Sequence, residues 1–222
     1  MRKLTIIVLL FSLILLACKN EINHIIPADF SVLFPDSTQI SNGITVQEQQ
    51  NRTSQFIKTI RANTINHEIP DIVVNDIQGK PIRLQKKLGG IKLIIASSLT
   101  CVWDVEGLLV DFPKTNQLIK NPFSENEIML LIQKENSEYF HLQYQKYIED
   151  IKNYYSNIYL IDSLEATKLN VFGLTRYYIS EKNIVREIGG GTGINTDGLR
   201  LELEKNTIAN RCASSKIDSA NE

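Results

Sequence analysis

A short apolar run, Ile91–Ala96 (IKLIIA), constrains this chain more than any other stretch. Six residues make a strand rather than a helix, and their side chains alternate between two faces, so both faces must be covered. The run predicts a central strand in a sheet with helices on both sides, an α/β architecture. Ser98, Leu99 and Thr100 then lead to an isolated cysteine, Cys101, and to helix-like sequence from Val102. A thiol placed where a strand turns into a helix faces backbone N–H groups and the positive end of the helix dipole, which favour a thiolate. Cys101 is the candidate nucleophile.

The rest of the chain supplies elements to surround that strand. Ile69–Asn75 reads as a strand, Gln78-Gly79-Lys80-Pro81 as a turn and Ile82–Leu84 as a second extended run. Glu127–Gln133 (EIMLLIQ) reads as another buried strand. Tyr139–Tyr155 is an amphipathic helix with Phe140, Tyr144, Ile148 and Ile151 along one face. Ile158–Asp162 is a strand and Leu164–Leu169 a short helix. Tyr177–Ile179 and Ile184–Ile188 pair as a hairpin turning at Asn183, and a terminal helix is expected over Asn195–Lys205. Upstream, Phe56, Ile57 and Ile60 give Val46–Ala62 a helical spacing.

Pro70-Asp71, a strand, Asp76-Ile77-Gln78-Gly79-Lys80, a second strand, Gly89-Gly90 and the Leu93 strand together resemble a known opening. It is that of the thioredoxin-like thiol-disulfide oxidoreductases and their alkyl hydroperoxide reductase relatives. Counted from Gly89, Cys101 falls where that family carries its nucleophilic cysteine, and Asn170–Leu174 resembles its hinge before the last strand pair. The resemblance covers residues 66–206. It implies a thioredoxin-like domain, a central mixed sheet with helices on both faces, here with an N-terminal extension before it and a tail over 207–222.

The pattern departs from the family at two places. Asp104 stands where the second cysteine of Cys-x-x-Cys resolves a mixed disulfide. Three residues apart on a helix, it neighbours Cys101, and as a like charge it opposes a thiolate. All six prolines (Pro27, Pro35, Pro70, Pro81, Pro113 and Pro122) precede residue 123, so Leu174-Thr175-Arg176 occupies the place of the family's cis-proline. The expectation is a degenerate domain, a binding or accessory module without disulfide reductase turnover, docking a protein or peptide partner at the Cys101 groove. The alternative is a one-cysteine thiol-disulfide oxidoreductase or peroxidase. For the latter, Ser98-Leu99-Thr100-Cys101 resembles the end of the peroxiredoxin motif Pro-x-x-x-Thr/Ser-x-x-Cys, with Ile94 in place of the proline. Arg176 stands near the position of that family's distant arginine, in what reads as a solvent-facing turn. Ser98, Thr100 and Arg176 thus join Cys101 as candidate catalytic residues.

The chain opens with Arg2 and Lys3, an apolar core from Leu4 to Leu16 and a small residue, Ala17, before Cys18. This is a secretory signal pattern, and its core is short of the ~20 residues that span a bilayer. Leu15-Leu16-Ala17-Cys18 resembles the lipobox of bacterial lipoproteins, which implies loss of residues 1–17, acylation of Cys18 and membrane attachment in the cell envelope. Lys19, Asn20 and Glu21 favour the outer membrane by the same resemblance. Residues 18–65 read as a tether and N-terminal extension.

Losing residues 1–17 removes Arg2 and Lys3 and takes the formal charge from −1 to −3. With no basic patch interleaved with aromatics, nucleic acid is excluded as a partner. His24, His67 and His141 lack cysteines or carboxylates at ligand spacing, so no metal or other cofactor is expected. Gly189–Gly193 lacks the Gly-Lys-Ser/Thr of a phosphate cradle and reads as a turn. With Cys18 acylated, Cys101 and Cys212 remain, and their pairing is open.

Overall fold

The structure, a computed structural model, describes residues 23–33, 45–118, 122–171 and 173–190. The expected signal sequence, Cys18, the helix expected over 195–205, the tail over 207–222 and Cys212 lie outside the described residues.

The first long element is helix α1 (Val46–Thr64), started by Thr45. The Thr45 hydroxyl accepts from the Glu48 N–H at 3.2 Å, while the Glu48 carboxylate accepts from the Thr45 N–H at 2.9 Å. This reciprocal cap satisfies two donors that the first turn would leave open. Phe56 and Ile60, four residues apart, bury one face of α1. Strands β1 (Val73–Asp76) and β2 (Pro81–Arg83) follow as a hairpin whose turn uses Gly79 at φ +86°.

β3 (Leu93–Ser97) is the expected central strand, with all five residues buried. It leads through Cys101 into a continuous helical stretch: α2 (Val102–Glu106), a π turn (Gly107–Asp111) and α3 (Phe112–Leu118). Then come β4 (Ile128–Lys134), α4 (Glu138–Lys152), β5 (Asn157–Asp162), α5 (Ser163–Lys168), β6 (Thr175–Ile179) and β7 (Val185–Gly190). Ser137 caps α4 by accepting from the Phe140 N–H at 3.1 Å.

Among the described residues the strands form one seven-stranded sheet in the order β2-β1-β5-β4-β3-β6-β7. β3 runs parallel to β4, and β4 to β5, whereas β6 lies antiparallel to both β3 and β7. Side-chain alternation divides the core in two. Ile94, Ala96, Met129, Leu131 and Tyr177 face a layer that includes Phe56 and Ile60 of α1 and Ala166 of α5. Leu93, Ile95, Leu130, Ile132 and Tyr178 face Val105, Leu108 and Phe112 of the α2–α3 stretch and Ile148 and Ile151 of α4. Each such aliphatic side chain contributes about 1.5–3 kcal/mol of burial.

The reading of residues 18–65 as a tether does not hold for the described parts of that segment. Ile25, Phe56 and Ile60 are core residues. The Ile25 N–H bonds the Glu68 carbonyl, the Ile26 N–H bonds the Asn63 carbonyl, and Arg61 pairs with Glu187 of β7 at 2.6 Å. Apolar residues spaced for one helix face are costly to leave in water, and the open sheet face accepts them. Two strand limits also move. β1 begins at Val73 because the Ile69 N–H is given to the Asn183 carbonyl at the hairpin turn, and the second run is 81–83 because Leu84 starts a 3-10 turn. Asn183 itself sits at φ +59°, as a hairpin turn of this kind requires. Among the described residues no helix is long and apolar enough to cross a membrane.

Candidate functional site

The site lies at the carboxyl end of β3. Ser97 closes the strand, and Leu99 reverses the chain at φ +57°, a left-handed conformation that costs a leucine about 1–3 kcal/mol. Complete burial of the Leu99 side chain offsets that cost, and the Leu99 N–H is held by the Ser97 hydroxyl at 3.2 Å. The reversal delivers Cys101 to the start of α2, where its carbonyl accepts from the Asp104 and Val105 N–H groups at 3.0 and 3.2 Å. Cys101 is half-buried and has no disulfide partner among the described residues. The next two residues are open to solvent: Val102 is 63% and Trp103 69% exposed.

Ser98 and Thr100 are brought together, their hydroxyls 2.7 Å apart, and Ser98 also reaches the Asp104 carboxylate at 3.4 Å. Asp104 is only 5% exposed. Burial pushes its carboxyl above the ordinary carboxylate value, while hydrogen bonds from the Ser98 hydroxyl and the Leu174 N–H work in the opposite direction. Asp104 thus ties α2 to the segment entering β6, where the family would place its cis-proline. Gly173 in that segment sits at φ +57°, a left-handed conformation that favours glycine, and a Cβ there would make only ordinary contact with the Asp104 carboxylate, at 3.9 Å. One residue turn further along, a Cβ on Gly107 would lie 2.6 Å from Leu174 Cδ2.

Arg176 is not in a solvent-facing turn. It lies within β6 opposite Ile95, on the sheet face covered by the α2–α3 stretch and α4, and is 7% exposed. Its Nε is buried without a hydrogen-bond partner, and no carboxylate among the described residues comes within ion-pair distance. Its charge acts on buried Tyr155 of the same layer, whose phenol burial pushes up and the guanidinium pulls down. The Tyr155 hydroxyl donates to the Leu108 carbonyl at 2.8 Å. Of the four candidate residues, then, Ser98 and Thr100 are joined to each other beside Cys101, while Arg176 makes no hydrogen bond to any of them. Asp104 was read as the replacement of a second cysteine and as a charge near the thiol. Its burial, and the backbone N–H that holds it, come from a segment seventy residues away in sequence and leave no local signal. Among the described residues no cluster of histidine, cysteine, aspartate and glutamate could hold a metal ion.

Asp104→Asn is expected to stabilise the domain by on the order of 1 kcal/mol at neutral pH, because the amide can accept from Leu174 and donate to Ser98 with no buried charge. The sign follows from the raised carboxyl. The folded state holds the Asp104 proton more tightly than the unfolded chain, so this contribution is fully present below the ordinary carboxylate value and is lost as pH rises through the raised one. Denaturant unfolding from pH 4 to 8 should show a decline in the parent that is shallower in the asparagine variant.

No family model and no curated protein matches the sequence. Solved structures do match at the level of shape. A thioredoxin-like protein from Bacteroides caccae aligns at a TM-score of 0.45 and 15% identity over 74% of this chain, which spans 57% of that one. A thiol:disulfide interchange protein from a Bacteroides species aligns at 0.45 and 16% over 64% of this chain and 89% of its own. A reduced 2-Cys peroxiredoxin from Plasmodium vivax aligns at 0.42 and 15%, over 66% and 98%. The sheet itself carries the assignment. The β3–β4 parallel pair, the β6–β7 hairpin added antiparallel on the other side of β3, helices on both faces and a cysteine at the turn from β3 into α2 give this domain the thioredoxin-like fold.

Proposed function

We propose that this chain is a lipoprotein of the bacterial cell envelope, anchored at the outer membrane through Cys18, whose thioredoxin-like domain holds a protein or peptide partner at the Cys101 edge without disulfide reductase turnover. The observation that carries the reading is Asp104. The position that would supply the second sulfur holds a carboxyl that is buried and bonded on two sides, to Ser98 and to the Leu174 N–H. No sulfur in the helix can therefore release a partner captured on Cys101. The exposed Val102 and Trp103 offer that partner apolar surface directly beside the thiol. The anchor and location rest on the Met1–Cys18 pattern.

A one-cysteine enzyme is the second reading, favoured by the buried Arg176 whose Nε has no partner. One assay separates the two. With dithiothreitol as the electron source, reduction of a peptide disulfide or of hydrogen peroxide by the full chain should stay within about twofold of the Cys101→Ser variant. Saturable turnover that disappears with Cys101→Ser supports the enzyme and overturns the binding module.

A further inference from the structure

Arg176 is the buried group whose polar surroundings are least complete. It pairs with Ile95 of β3 on one side and with Gly189 of β7 on the other, so its side chain leaves the sheet on the face of Leu93, Ile95 and Tyr178. Leu174 and Tyr178, two residues away in either direction, belong to the same apolar layer, and Arg176 is 7% exposed. A guanidinium carries five N–H donors and a charge that it does not give up. None of these donors meets an acceptor among the described residues. Nε is also closed off from water, whereas Nη1 and Nη2 are not, so the end of the fork is what a solute can reach.

The groups that could have served as acceptors are committed elsewhere. Glu187, the acidic residue of β7, pairs with Arg61 at 2.6 Å and accepts from the Ile188 N–H. Asp104 accepts from Ser98 and from the Leu174 N–H. The Tyr155 hydroxyl donates to the Leu108 carbonyl. Gly189, opposite Arg176, contributes no side chain to the space beside it. A buried charge with no partner is costly, and methionine or leucine would fill such a position without that cost.

We propose that Arg176 is the seat of an anion site whose ligand is a monoanionic carboxylate, held end-on by Nη1 and Nη2. Two parallel N–H groups match the two oxygens of a carboxylate, at about 2.8 Å each. One fixed positive charge balances one negative charge, whereas a sulfate or phosphate dianion would bring a second, unbalanced charge into an apolar layer. The carbon next to the carboxylate suits the Ile95 and Leu174 side chains of that layer. The same chemistry is offered by a free short-chain acid and by the C-terminal carboxylate of a peptide. The site makes no use of the Cys101 thiol and is independent of what docks at the Cys101 edge, so Cys101→Ser should bind as the parent does.

The test uses the full-length chain in detergent with trifluoroacetate as the probe, followed by the width of its fluorine NMR line. In the parent the line should broaden saturably and sharpen when sodium acetate is added, while sodium sulfate at equal ionic strength should leave it broad. Arg176→Met has no charge to bury, so it should fold at least as stably as the parent, and it should bind the probe at least about tenfold more weakly. N-acetyl-dialanine and its amide tell the sources apart. Displacement by the free acid and not by the amide supports a peptide terminus as a source, and displacement by acetate alone supports a free small acid. No broadening in the parent, equal broadening in Arg176→Met, or displacement by sulfate or by the amide as strong as that by acetate overturns the site.

Discussion

Asn170→Ala should destabilise the domain by about 3 kcal/mol, a large share of the 5–15 kcal/mol by which domains of this size are stable. Asn170 is fully buried between α5 and β6, and its side chain reaches back to the start of the described chain. Its Oδ1 accepts from the Ala28 N–H at 2.6 Å, and its Nδ2 donates to the Ile26 carbonyl and the Thr64 hydroxyl, each at 3.0 Å. Alanine would remove all three bonds at once; the fully buried Thr64 hydroxyl would be left unpaired at about 1–3 kcal/mol, and the half-buried Ala28 N–H and the Ile26 carbonyl would lose a bond that water replaces only in part. Asn170 also sits at φ +57°, where alanine costs a further ~1 kcal/mol that asparagine partly avoids. Asn170→Gly separates the two causes, since it relieves the backbone and still loses the bonds. Urea unfolding should place glycine between the parent and alanine, nearer to alanine. Early cleavage within residues 23–33 by a protease in both variants would show that it is the N-terminal segment that is released.

Gly107→Val comes second, with an expected loss of about 2 kcal/mol. Gly107 sits at an ordinary helical φ of −58°, so a side chain there faces no backbone penalty, and removing a helical glycine would by itself gain about 0.5–1 kcal/mol. Space decides the sign. The new Cβ would lie 2.6 Å from Leu174 Cδ2, roughly an ångström inside normal contact, and Leu174 is itself buried against the second core layer. Overpacking of this kind costs about 1–3 kcal/mol, and the extra methyls of valine add to it. Because the Leu174 N–H also holds the Asp104 carboxyl, moving Leu174 loosens the junction between α2 and β6 at the site. Leu174→Ala destabilises alone by leaving a cavity, but in the Gly107→Val background it makes room. The two changes together should therefore cost at least 1 kcal/mol less than their sum, and strict additivity would show that the two side chains do not compete for the same space.

These two positions show where the sequence is silent. Nothing in Asn170-Val171 distinguishes a hinge asparagine from a surface turn, because its three partners lie more than a hundred residues away, at Ile26, Ala28 and Thr64. Gly107 reads as an ordinary helix glycine until Leu174 is placed beside it. Arg176 was misread for a related reason. Its neighbours in sequence look like a turn, whereas register with Ile95 puts it inside the sheet.

The sequence by itself determined the features with a local period or a local cap: the buried β3, the order of strands and helices, the α4 face, the Asn183 turn and the placing of Cys101 between β3 and α2. Each of these is set by residues within a few positions of one another, through side-chain alternation, helical spacing and turn chemistry. Only the tertiary structure decided that Ile25, Phe56 and Ile60 belong to the core rather than to a tether, that Asp104 is buried and bonded to Leu174, and that β7 ends on the Cys101 edge. Those facts depend on which distant segment fills each face of the sheet, and burial and strand register, unlike periodicity, exist only once the chain has closed on itself.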